Sequence, residues 1–171
     1  ILFAMILYNL FLFIGLKESS YAYFVLYITS FIIMSFTYNG YSFKFMFYDN
    51  PDLQNLMQST SIYLFALSTL LFAQSFLNIK NRSELCNRSF NFVTLALIST
   101  FIVSAALGGY KYHIISAIVS IIIVSFYVVL VSLYSWFHSN PTAKFFVLGT
   151  GVGLAGIIIT VFTYLGFFPY S

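Results

Sequence analysis

The chain has 171 residues and a net charge of +3, with 6% charged and 61% hydrophobic residues. Soluble domains carry about 25% charged residues, and the mean hydropathy here is +0.96, so a water-facing domain is excluded and the solvent is lipid. The low charge leaves no electrostatic footprint for nucleic acid, and the lone Cys86 excludes an internal disulfide and a thiolate metal cage.

A helix crossing a hydrocarbon layer of about 30 Å needs about 20 apolar residues. The first run, Ile1–Leu16, gives only about 24 Å as a helix and starts at Ile. We read the chain as a fragment cut inside its first helix. A signal peptide fits poorly, because there is no basic leader and no small-residue cleavage site before Lys17. Asn9 is the most polar residue well inside this run. An unpaired amide in lipid costs several kcal/mol by order of magnitude, so Asn9 is predicted to point into the bundle.

The second run is Tyr21–Tyr38, and the third is Leu56–Leu77. Along the third, Gln54, Gln58, Ser61, Phe65, Ser68, Phe72 and Ser75 recur at alternating spacings of four and three, so they share one helix face. Such a face turns inward in lipid, either to bond other helices or to line a cavity for a small polar ligand; we read helix bonding. The fourth run is Phe92–Gly108 and the fifth Ile114–Phe137. His113 and His138 flank the fifth at about 37 Å along a helix, too far to share a metal, and each reads as interfacial. The sixth run, Phe145–Phe168, holds Gly149, Gly151, Gly153 and Gly156. The last three spell G-x-G-x-x-G, but inside an apolar run with no acid following, so we read tight helix packing through Gly149 and Gly153 rather than a dinucleotide site.

The connections put Lys17, Lys80, Arg82, Arg88 and Lys144 on one side and Lys44 and Lys111 on the other. The positive-inside rule makes the first side cytoplasmic. Asp49 and Asp52 then lie outside, and the sequons at Asn81 and Asn87 lie inside, where they would be inert. Tyr residues gather near the ends of runs, as an aromatic belt does. Pro51, Pro141 and Pro169 all fall in connections. No Asp, Glu, Lys, Arg or His lies at mid-depth in a run, which disfavours an ion-coupled transporter. No metalloprotease, hydrolase or paired-carboxylate motif is present, and we read neither catalysis nor a cofactor.

Several strings then align with one family. They are Leu7-Tyr8-Asn9-Leu10-Phe11-Leu12-Phe13, Tyr21-Ala22-Tyr23-Phe24, Asn39-Gly40, Leu71-Phe72-Ala73-Gln74-Ser75-Phe76-Leu77, Lys144-Phe145-Phe146-Val147-Leu148-Gly149 and Leu165-Gly166-Phe167-Phe168-Pro169. Over nearly its whole length the chain resembles the bacterial seven-transmembrane receptors with diverse intracellular signalling modules (7TMR-DISM). The resemblance implies seven helices, an extracytoplasmic sensory domain, often a β-sandwich, and a cytoplasmic kinase, cyclase or phosphatase on the full-length chain. The expectation is an all-α polytopic membrane bundle in the bacterial inner membrane, with six of seven spans in view. Its partners are lipid, those two domains and a second copy of the chain. Candidate signalling and packing residues are Tyr8, Asn9, Tyr21, Tyr23, Gly40, Gln58, Phe72, Gly149 and Gly153. A transporter or permease fragment is the alternative.

Overall fold

Lipid offers the backbone no hydrogen-bond partners, so a chain crossing it satisfies its N–H and C=O groups within helices or a closed barrel. Continuous apolar runs of this length choose the helix. The computed structural model describes residues 1–171 other than 47, 49, 83, 108, 138–142 and 165–171, and the backbone alone of 81–82 and 154–164. Among the described residues there is no strand. The helices are α1 (Leu2–Leu16), α2 (Ser19–Tyr38), α3 (Tyr41–Phe45), α4 (Pro51–Phe76), α5 (Ile79–Arg82), α6 (Glu84–Ala106), α7 (Tyr110–Phe137) and α8 (Ala143–Tyr164). By length and composition α2, α4, α6 and α7 are long and apolar enough to cross a membrane. Expectations placed on Asp49, Gly108, His138, Pro141, Phe168 and Pro169, and on the surroundings of Arg82 and Gly156, lie outside the described residues.

The helices overrun the apolar runs where local chemistry favours them. α4 begins at Pro51, five residues before the run. The Asn50 side chain accepts a hydrogen bond from the Leu53 N–H at 3.3 Å, Pro51 occupies the first turn, and Asp52 adds a negative charge there. α6 begins at Glu84 rather than near Phe92; its polar first turns carry the exposed Arg88–Glu84 pair at 3.0 Å, one turn apart. Gly40, at φ +74°, ends α2 and starts the short α3 that the apolar pattern did not reveal. Lys17, in the left-handed conformation, closes α1 with its N–H on the Phe13 carbonyl at 2.8 Å.

The chain forms two compact units, Ile1–Val124 and Ser125–Ser171. In the first, α4 is the central helix. It packs against α2 most extensively and also against α6, while α1 lies along α2. Its buried residues form two seams. Gln54, Ser61 and Ser68 lie on one, and Ser59, Tyr63, Ala66, Leu70 and Ala73 lie on the other. At 100° per residue the seams are on roughly opposite sides of the helix. The outside of the bundle is apolar. Phe11 is 72% exposed, Phe92 73% and Leu95 66%, and α1 has no buried residue at all. Such a surface is stable against acyl chains and not against water.

The second unit holds the end of α7 and α8. Ser132 returns its hydroxyl to the Val128 carbonyl at 2.6 Å, and Thr150 does the same to Phe146 at 2.8 Å, so neither needs a partner outside its own helix. The Lys144 ammonium lies 5.0 Å from the Phe145 ring centre, at the start of α8.

Candidate functional site

The polar face of α4 meets hydroxyls of α2 and α3 in a ladder. Ser75 pairs with Ser20 at 3.1 Å, Ser68 with Ser30 at 2.5 Å, and Ser61 with Thr37 at 2.9 Å. At the far end Ser42 of α3 donates to Gln54 Oε1 at 2.6 Å, and Gln54 Nε2 donates to the Thr37 carbonyl at 3.2 Å. In lipid each such bond contributes about 0.6 kcal/mol on average, and up to about 1.7. Ser30, Thr37, Ser61 and Ser68 also reach carbonyls of their own helices. In each of those central pairs one proton crosses between the helices while the other stays home, and the two arrangements are chemically equivalent. These bonds therefore re-form readily after a movement.

Aromatic rings flank the ladder. Phe72 lies 5.2 Å from Phe24 and 5.6 Å from Tyr27, while Phe65 lies 5.2 Å from Tyr27 and 5.6 Å from Phe31, between ring centres. The seam thus alternates hydroxyl pairs with ring pairs.

The predicted residues divide. Phe72 belongs to the seam. Tyr21 and Tyr23 are half-buried on α2, and Gly40 makes the turn that brings Ser42 to Gln54. Gln58 is only half-buried; its backbone carbonyl accepts from Ser61, and the buried amide of this face is Gln54 instead. Asn9 is half-buried, on the same face of α1 as the half-buried Ile6 and Leu12, and its Nδ2 donates to the Met5 carbonyl of its own helix at 2.8 Å. Tyr8 is 65% exposed on the outer face of α1. Ser20, Ser30, Thr37 and Ser42 were missed. Ser30 and Thr37 repeat the seven-residue spacing of Ser61 and Ser68, and that matched spacing is the signal that finds them.

Gly149 and Gly153 were expected against another helix. Both are exposed, and a Cβ at either meets nothing within 4 Å. Gly153→Leu is therefore expected to leave the thermal midpoint of this chain in detergent within about 2 °C, the shift of a surface substitution. A fall of more than that would mean that α8 has a neighbour at this face.

Two further polar clusters join the helices. Gln74 Nε2 of α4 donates to Asn87 Oδ1 at 2.8 Å and lies 3.4 Å from Asn91 Oδ1 on α6. Elsewhere Tyr63 of α4, Ser104 of α6, and His113 and Ser116 of α7 form a buried network. His113, in the first turn of α7, is only 4% exposed, with its ring stacked 5.5 Å from Tyr63 and tilted 5.7 Å from Phe101. No three His, Cys, Asp or Glu side chains among the described residues gather as a metal site would require.

No curated protein and no solved structure matches the chain. The model of the 7TM diverse intracellular signalling family matches residues 1–171, and the chain belongs to that family: it is a receptor-type, multi-pass membrane region.

Proposed function

We propose that this region relays an extracytoplasmic signal across the bacterial cytoplasmic membrane, passing it to a cytoplasmic output domain of the full-length receptor by rearrangement of α2 against α4. The observation that supports this reading is the hydroxyl ladder between those helices. A relay needs two packings of similar free energy, biased by an event at one end. A seam of weak, interchangeable hydrogen bonds and stacked rings loses little when one arrangement is exchanged for another. The test is output activity in the full-length receptor, with and without stimulus, at matched membrane levels. Ser30→Ala with Ser68→Ala is expected to shift the unstimulated output, while Leu95→Ala, on the exposed face of α6, is expected to leave it unchanged. Wild-type responses from the double variant would place the relay elsewhere.

The orientation follows the basic bias of the connections. A cysteine placed at position 88 is expected to resist an impermeant thiol reagent in intact cells, and one at position 52 to react. The reverse pattern would invert the assignment of inside and outside.

A further inference from the structure

His113 carries a buried ring nitrogen that the proposed relay does not use. Its Nδ1 is 2.8 Å from Ser104 Oγ, but its Nε2 is buried and has no hydrogen-bond partner among the described residues. The neighbouring protons are spoken for. Tyr63 Oη donates to Ser116 Oγ at 2.9 Å, Ser116 donates to the His113 carbonyl at 3.0 Å, and Ser104 Oγ lies 3.0 Å from the Phe101 carbonyl and 3.3 Å from Tyr63 Oη. If Ser104 donates to Phe101, Nδ1 carries the ring proton and the Nε2 lone pair is left without a donor. If Ser104 donates to Nδ1, the Nε2 proton is left without an acceptor instead. The site accepts either neutral tautomer and leaves the imidazolium with an N–H that nothing receives.

The surrounding charges do not relieve this. Tyr63 is the titratable group facing the ring from α4; α6 contributes Phe101 and Ser104, which carry no charge. On α7 itself Tyr110, Lys111 and Tyr112 are exposed, and Lys111 is a like charge. Asp52, the acid of α4, lies about 16 Å along the helix from Tyr63, and Glu84 and Arg88 lie at least about 24 Å along α6 from Ser104.

We propose that His113 is a proton-binding latch that joins α4, α6 and α7 while its ring is neutral and releases them when the ring is protonated. A cation without an acceptor in apolar surroundings is costly, so proton uptake couples to a movement that brings Nε2 to water. The neutral ring holds Ser104 through Nδ1 and stacks on Tyr63, whose hydroxyl reaches Ser104 and Ser116. Acid therefore loosens this three-helix junction. The proposal is independent of any output domain.

The test uses the purified chain in detergent with its two histidines labelled with 13C in the ring and assigned through His138→Gln. Between about pH 8 and about pH 5, the His113 ring signal and the backbone amide signals of Tyr63, Ser104 and Ser116 are expected to move with one midpoint. The thermal midpoint is expected to fall by at least about 3 °C over the same range. His113→Gln, which keeps a donor for Ser104 but takes no charge, is expected to abolish that fall, and His138→Gln to retain it. The latch is overturned if the ring stays neutral at the acid end, if it titrates while the three amides stand still, or if His113→Gln keeps the full fall. Should His113→Gln not fold, the ring and amide titrations of the His138→Gln chain decide alone.

Discussion

Ser68→Leu is expected to be among the most damaging single substitutions on α4. Ser68 is 1% exposed and its hydroxyl lies 2.5 Å from that of Ser30, so the two helices meet here with no room for a larger side chain. Overpacking costs about 1–3 kcal/mol, and the lost interhelical bond adds about 0.6 kcal/mol. Ser68→Ala removes the bond alone. Thermal unfolding in detergent is expected to show a large fall for Leu and a small one for Ala. Equal falls would mean that hydrogen bonding, not close approach, decides the seam.

Gln54→Leu comes second. Gln54 is buried where α2, α3 and α4 meet; it accepts from Ser42 and donates to the Thr37 carbonyl. Leucine fills much the same space but leaves the buried Ser42 hydroxyl without its acceptor, at about 1–3 kcal/mol. The damage is expected to be local. Amide hydrogen exchange in Tyr41–Phe45 is expected to speed up by an order of magnitude or more, with the middle of α4 unchanged. Uniform acceleration throughout α2 and α4 would show that Gln54 supports the whole seam rather than the docking of α3.

Much of this was legible in the sequence, for identifiable reasons. The apolar runs located the spanning helices because lipid allows few alternatives. The face from Gln54 to Ser75 was legible because its residue types contrast with their surroundings at helical spacing. The added turns of α4 and α6 were not, because the run-length argument ignores caps: Asn50, Pro51 and Asp52 extend a helix that hydropathy alone starts at Leu56. The partner of Asn9 was not legible, because an amide in lipid has a cheaper solution than a distant partner, namely the carbonyl four residues back. His113 was hidden by its neighbours. Next to Lys111 and Tyr112 it reads as a headgroup residue, and its neighbours, the stacked Tyr63 and the hydrogen-bonded Ser104, come from two other helices with no spacing to announce them.

The seam between α2 and α4 has one more consequence, for how these helices find each other. Ser61, Ser68 and Ser75 repeat every seven residues, as do Phe65 and Phe72; Ser30 and Thr37, and Phe24 and Phe31, repeat at the same interval. Such a pattern works like evenly spaced teeth. Sliding one antiparallel helix by seven residues, about 10 Å, sets Ser68 against Thr37 and Ser75 against Ser30, and again sets rings against rings. The shifted alignment keeps two hydroxyl pairs where the native one has three, so the teeth alone separate them by a single weak bond. A further discriminating contact lies at the end: Gly40 turns the chain so that Ser42, on a separate short helix, reaches Gln54. An otherwise repetitive zipper thus has an end stop, and helices that close before α3 has formed are held in register by little more than the Ser20–Ser75 pair.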